Sequence, residues 1–370
     1  MQTVEYNDTE MAAWLDTTDH ERLSELYQQA YAIKTQCVGT KVYYRGLIEF
    51  SNICAKDCLY CGIRRSNDKV DRYDIPDDEI VEAARWAHQQ RYGSIVLQGG
   101  ERSTPAFTTR IENLLQRIHR ETGNDLGITL SLGEQPRATY QRWLAAGAKR
   151  YLLRIETSNP TLYAAIHPPD HNFEERVACL RTLQELGWQT GTGVMIGIPG
   201  QTTADLVQDI RFFQKMDIDM IGMGPYIPHD QTPLAQLTAH FDGTRQLQRA
   251  LTMIALTRIT LRDVNIAAAT ALQALDPQGR ERGLEVGANI IMPNLTETRY
   301  RTGYQLYNGK PCMDENAGMC RFCLAGRIAS VGESIGYGEH GDAPHFARRK
   351  AQATDAKPRT KNQELRTNRT

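Results

Sequence analysis

No run of about 18 apolar residues occurs in this 370-residue chain, so a membrane-spanning helix is not expected. The opening stretch MQTVEYNDTEMAAWLDTTDHE is acidic and lacks the basic segment and apolar core of a secretory signal, which makes a cytoplasmic location the expectation. A formal net charge of −1 provides no general attraction to nucleic acid, so small-molecule chemistry is favoured. No H-E-x-x-H occurs, and no nucleophilic triad is expected. Cysteine is scarce, eight in all, and six of these fall into two tight triplets. Without an export signal, that clustering argues for metal binding in a reducing compartment rather than for a disulfide framework.

The first triplet is the most informative feature. Cys54, Cys58 and Cys61, in IEFSNICAKDCLYCGIRRSN, have C-x3-C-x2-C spacing directly after an apolar run that reads as a strand. Three thiolates on one short loop can hold three irons of a 4Fe-4S cubane and leave the fourth open to a small molecule. A structural zinc site prefers two separated C-x2-C pairs that close a tetrahedron, so the compressed run favours iron-sulfur over zinc.

From Val42 to Val286, short β-branched runs alternate with amphipathic stretches, the pattern of successive β-α units. Eight strands are predicted: Tyr43 to Phe50, Ser94 to Gln98, Gly127 to Ser131, Arg150 to Ile155, Gly193 to Ile198, Met220 to Gly224, Val264 to Ala268 and Ala288 to Met292. Helix starts are read at Pro76-Asp77-Asp78, after Pro136, and at Thr202 or Thr203. The expected fold is therefore an α/β protein, a closed (β/α)8 barrel over residues 42–300. Residues 1–41, with Leu23, Leu26, Ala30 and Ile33 at helical spacing, would form an added helix; 301–338 carry the second triplet; 339–370 read as a basic, disordered tail. Chemistry in such barrels gathers where strands end, which would bring the cysteine loop to Gln98-Gly99-Gly100-Glu101, Thr129, Ser131, Glu134, Arg154 and Glu156.

The cysteine loop, with Tyr60 before its last cysteine, together with SIVLQGGE and GVMIGIPGQT, resembles the radical S-adenosylmethionine (SAM) superfamily. The resemblance implies a 4Fe-4S cluster on Cys54, Cys58 and Cys61 that binds SAM at its open iron and cleaves it reductively to a 5'-deoxyadenosyl radical. A second triplet, Cys312, Cys320 and Cys323 in KPCMDENAGMCRFC, together with ITLSLGE, RYLLRIET, MIGMGPYIPH and GANIIMPNLT, narrows the likeness to the HydE maturases of FeFe-hydrogenase. That likeness runs from about Tyr43 to Cys323. By resemblance, Tyr60, Gln98, Gly99, Gly100, Glu101, Thr129, Ser131, Glu156 and Arg176 would contact SAM or line the cavity, with Tyr304 and Tyr307 near its floor.

The implied role is assembly of the diiron part of the H-cluster, acting on a cysteine-bound iron carbonyl cyanide complex. Implied partners are HydG and HydF-type maturases and a reductant such as ferredoxin or flavodoxin. The second triplet is expected to hold a 2Fe-2S or 4Fe-4S cluster, with zinc or no metal as the alternatives. Two departures stand out: Ile155 replaces an expected histidine in Arg154-Ile155-Glu156-Thr157, and Ala269-Thr270 replaces a threonine pair. These leave open a HydE-like or methylornithine synthase-like enzyme acting on another amino-acid-derived substrate. A non-enzymatic iron-sulfur carrier is the remaining alternative, though it would not need the SAM-pocket elements.

Overall fold

The computed structural model describes residues 5–238 and 241–355. Its centre is a ring of eight parallel strands: β1 (Lys41–Ser51), β2 (Ser94–Gly99), β3 (Gly127–Ser131), β4 (Arg150–Leu152), β5 (Gln189–Thr192), β6 (Met220–Ile221), β7 (Asn265–Ile266) and β8 (Ile290–Ile291). β8 pairs with β1 through Tyr43 and Tyr44, and the amides of Ala268 and Asn289 donate at 2.9 Å to Ile290 and Ile266 across the β7–β8 seam. The ring is thus closed, as expected of the (β/α)8 barrel.

Crossover helices form where the apolar spacing places them. In Asp77–Gln89 the residues Ile80, Val81, Ala84 and Ala87 are buried along one face, and three acidic residues occupy the first turn, where the helix dipole favours them. The helix Thr203–Lys215 starts at Thr202: its hydroxyl accepts from the Asp205 amide at 3.2 Å, and the Asp205 carboxylate accepts from the Thr202 amide at 2.7 Å.

Strands four to eight are shorter than predicted, and the fifth is displaced. The predicted strand at Gly193 to Ile198 is not the barrel strand. The barrel uses Gln189–Thr192, while Met195–Ile196 pairs with Gly224–Pro225 in a separate two-stranded sheet. The apolar run drew the expectation downstream. The true strand is polar and buried, and its threonines are held by internal hydrogen bonds: the Thr192 hydroxyl donates to Leu153 O at 2.8 Å, and Asp219 accepts from the Thr190 amide at 2.8 Å.

Two helices, Asp8–Asp16 and His20–Val38, precede the barrel where one was expected. Leu23, Leu26, Ala30 and Ile33 are buried as their spacing predicts. The Tyr27 hydroxyl lies 3.2 Å from that of Thr252 on the helix Gly243–Leu261.

The expectation of disorder from 339 onwards does not hold through 355. Residues 339–343 pack under the amino end of the barrel and lead into the helix Pro344–Asp355. Asp342 pairs with the fully buried Arg150 at 2.5 Å, Gly341 O accepts from Asn265 at 2.8 Å, and His345 sits 2.9 Å from both Asp217 and Asp219. The basic composition that suggested a solvated end instead supplies partners for acidic groups at the barrel base. The remainder of the predicted tail, 356–370, lies outside the described residues. Gly332 to Gly336 spells G-x-S-x-G, but Ser334 lies on a two-residue strand beside β1 rather than on a strand-to-helix elbow.

Candidate active site

The cysteine loop emerges from β1 at a register shift between Glu49 and Ser51, which turns the chain over the barrel mouth. It is held to the end of β2 at close range. The Ala55 amide donates to Glu101 O at 2.9 Å, and a Cβ on Gly100 would lie 2.4 Å from Ile53 O, so only glycine fits between loop and strand. Cys54 Sγ accepts from the amides of Lys56 at 3.4 Å and Glu101 at 3.3 Å. Burial pushes all three thiols up, Cys58 to about 12, and the charge of Cys54 adds to the rise at both Cys58 and Cys61. Such a set gives up its protons readily only to a strong cation. Three buried thiols on one loop, whose charges act on one another, with amide donors to the Cys54 sulfur, fit an iron-sulfur cluster.

Cys54 and Cys61 open onto a cavity of about 340 Å³ inside the barrel mouth. Tyr60, Gln98, Gly99, Gly100, Glu101, Ser131, Glu156 and Arg176 line it. Thr129, one layer deeper on β3, is outside the lining; its hydroxyl is buried without a hydrogen-bond partner. Tyr304 and Tyr307 line the far side, and the Tyr304 hydroxyl accepts from Gln98 Nε2 at 3.3 Å.

The charged side chains at the mouth pair in two separate sets. Glu156 and Arg176 do not bond to each other. Arg154 grips both oxygens of Glu156, at 2.9 and 2.8 Å, while Arg176 pairs with Glu134. Lys56, inside the cysteine run, lies 3.5 Å from both Glu101 and Glu134. Burial raises Glu101 above the usual carboxylate range; at Glu134 burial is outweighed by Arg176 and Lys56, and the net direction is down. Glu156 itself has φ +64°, a left-handed conformation costly for a side chain, held by its amide bond to Gly193 O at 3.0 Å.

An apolar wall faces Tyr60, made by Leu162, Ile166, Ile198, Tyr226 and Leu234. The two sequence departures separate cleanly. Ile155 is fully buried in the main core and is not part of the cavity, whereas Ala269 lines it.

Sequence reasoning missed Lys56, the Glu49–Lys310 pair in the cavity wall, and the two histidines His167 and His171 beside Cys58. Lys56 was legible within the cysteine run. Lys310 was not, because it comes from the segment beyond the last strand. The second triplet assembles only in part: Cys312, Glu315 and Cys320 bring ligand atoms within 4.8 Å of one another, while Cys323 is exposed on the helix Ala317–Ser330. The hydrogen bond from Cys320 holds the Cys312 thiol below its usual value, with Arg280 adding to this despite burial.

Residues 48–213 match the Radical SAM superfamily model. The chain is 46% identical over 84% of its length to the [FeFe] hydrogenase maturase subunit HydE of Thermotoga maritima, covering 86% of that protein. The chain belongs to the HydE family. Its cofactors are therefore those of a radical SAM enzyme, a 4Fe-4S cluster and SAM. HydE-like sequence is distinct from that of 3-methylornithine synthase of Methanosarcina acetivorans, which is 27% identical over 82% of this chain and 83% of that protein. The fold is nevertheless shared with methylornithine synthase, whose solved structure superposes with a TM-score of 0.78 at 22% identity, over 90% of this chain and 95% of that one. Among the described residues no helix is long and apolar enough to cross a membrane.

Proposed function

We propose that this chain acts in assembly of the FeFe-hydrogenase H-cluster, with Cys54, Cys58 and Cys61 as the ligands of its SAM-binding cluster. The observation that carries this reading is the 340 Å³ cavity, which has two of these thiols at one end and charged and aromatic groups along its walls. When bound there, the cluster supplies the electron that splits the carbon-sulfur bond of SAM. The chain's own residues bind and orient. Gln98, Gly99 and Gly100 present the end of β2 to the amino-acid portion, Glu101 and the Lys56 ammonium lie beside it, and Arg154 fixes Glu156 for a ribose hydroxyl. The apolar wall facing Tyr60 suits adenine and keeps water from the reacting carbon. Cys312 and Cys320, with Cys323 after a rotation of its exposed side chain, would hold the second cluster.

HydG- and HydF-type maturases and a ferredoxin or flavodoxin reductant are the partners that fit this role. Ala269 supports a second reading: the cavity lacks a hydroxyl at a lining position, which suits a different amino-acid-derived substrate.

The test is anaerobic reconstitution, reduction with dithionite, and measurement of 5'-deoxyadenosine from SAM with and without the cysteine-bound iron complex. Release with consumption of the iron complex supports the maturase; release without consumption keeps the radical chemistry and rejects the substrate. Cys58→Ala should abolish release and Cys320→Ala should spare it. No release from cluster-loaded protein would favour an iron-sulfur carrier.

A further inference from the structure

The middle cysteine of the loop has neighbours that cluster binding alone does not explain. Cys58 Sγ and one ring nitrogen each from His167 and His171 lie within 4.8 Å of one another. His167 ends the helix Pro160–Ile166, and His171 lies in the turn before the helix Phe173–Glu185. Both histidines are buried, and their rings stack with centroids 5.0 Å apart.

The hydrogen bonding of His167 matches that of a metal ligand. His167 Nδ1 is 2.8 Å from Tyr163 O, and because a carbonyl only accepts, Nδ1 carries the ring proton and Nε2 keeps its lone pair. A backbone carbonyl behind one ring nitrogen is the arrangement that orients metal-bound histidines. The lone pair is met only by the Tyr60 hydroxyl, at 3.2 Å. His171 is 8% exposed, and neither of its ring nitrogens has a partner. A buried imidazole with both nitrogens unpaired is costly unless something binds it.

One thiolate and two imidazoles form a set suited to Zn²⁺, with water as a fourth ligand. We propose that, before the cluster is built, Cys58, His167 and His171 bind Zn²⁺ and thereby withhold Cys58 from cluster assembly. This rests on the reading of Cys58 as a cluster ligand. Zinc bonds of about 2.0 to 2.3 Å require the three ligand atoms to close by roughly an ångström, which rotation of His171 in its turn and of the Cys58 side chain supplies. The consequence is a metal-dependent block: zinc bound at this site must leave before iron and sulfide can be assembled on the loop.

The experiment uses full-length, cluster-free protein carrying Cys312→Ala, which silences the second cysteine group, titrated anaerobically with Co²⁺ as the spectroscopic probe and then with Zn²⁺. The expected result is a tetrahedral Co²⁺ spectrum with a thiolate charge-transfer band, displaced by Zn²⁺. The spectrum should persist in Cys54→Ser and be lost in Cys58→Ser and His171→Ala. Affinity in His171→Ala should fall by more than the roughly 100-fold that loss of an outer-shell partner can cost. His171→Gln, which keeps a polar side chain of similar reach, should fail in the same way while its circular dichroism matches the parent. Parent protein pre-treated with Zn²⁺ should also take up iron and sulfide at least about tenfold more slowly than His171→Gln given the same Zn²⁺ treatment, the lower end of the effect of metal-site neighbours. A spectrum lost in Cys54→Ser but retained in His171→Ala would overturn the proposal in favour of a three-cysteine site, and absence of any thiolate-cobalt band would also overturn it. Uptake of a complete 4Fe-4S cluster by Cys58→Ser would instead overturn the underlying ligand assignment, a separate outcome.

Discussion

Lys310 donates to both carboxylate oxygens of Glu49, at 2.6 and 2.7 Å, joining the segment beyond the last strand to the inner wall of β1. The Glu49 side chain is 2% exposed and that of Lys310 8% exposed, so this is an ion pair shielded from water at the cavity wall. Lys310 also donates to Tyr304 O at 2.9 Å, which ties the pair to the tyrosine that receives Gln98.

Removing one partner strands the other charge. Lys310→Ala should destabilise the protein by about 3–5 kcal/mol, the cost of breaking a buried pair, whereas the double variant Glu49→Gln/Lys310→Met should recover most of that loss. Denaturant midpoints of the two variants check this. Equal destabilisation of single and double variants would show that Glu49 is not dependent on Lys310.

Glu156 combines a strained backbone with a carboxylate held by Arg154 and proposed to meet the SAM ribose. Glu156→Gly and Glu156→Ala both remove the carboxylate that Arg154 holds, so both should weaken SAM binding by similar factors. Glycine should nevertheless leave the protein more stable than alanine by about 1 kcal/mol, because φ +64° penalises a Cβ. Thermal melts and SAM titrations of the pair separate the two effects.

The contact between Gly100 and the cysteine loop predicts a local defect. Gly100→Ala would drive a methyl group against Ile53 O and Cys54 Cα, backbone atoms that can move only with the loop. The cost should be about 1–3 kcal/mol of overpacking, and iron content after reconstitution should fall at the first site but not at the second. Spectroscopic counting of clusters in Gly100→Ala and in a Gly100→Ala/Cys320→Ala double variant checks the assignment.

His345 makes the barrel base sensitive to pH. Burial opposes its charge, but the hydrogen bond to Asp219 and the charges of Asp219, Asp217 and Asp263 outweigh burial and raise its pKa above 6.5; Arg349 shares Asp219. A raised folded-state value means the stabilisation is fully present below the unfolded pKa and is lost as pH rises through the folded one. The stability difference between the parent and His345→Gln should therefore be largest below about pH 6.5 and shrink on the alkaline side. A difference that grows with pH would reverse the assignment.

The parts of the fold and site that the sequence made legible were local. The C-x3-C-x2-C run and the acidic start at Asp77 each require only a few adjacent residues, and β2 and β3 fell where their β-branched runs lie because both strands are apolar and buried along most of their length. Strand five misled for the opposite reason. A polar strand buried inside a barrel shows no alternation, and the apolar residues at 195 to 198 belong to the small sheet and wall above the mouth.

The cysteine spacing, the glycines at the end of β2 and the recurrence of β-α units by themselves determined the barrel, its mouth and the placing of three thiols on one loop there, since each depends on interactions between near neighbours along the chain. Tertiary structure alone decided the charge partners: Arg154 rather than Arg176 for Glu156, Lys310 for Glu49, and two histidines beside Cys58. It also decided that Ile155 faces the core while Ala269 faces the cavity, and that a basic segment neutralises the barrel base instead of trailing in solvent. The physical reason is the same in each case. Coulombic and hydrogen-bond partners are chosen by distance in space, and barrel closure brings together residues whose separation in sequence gives no sign of that distance.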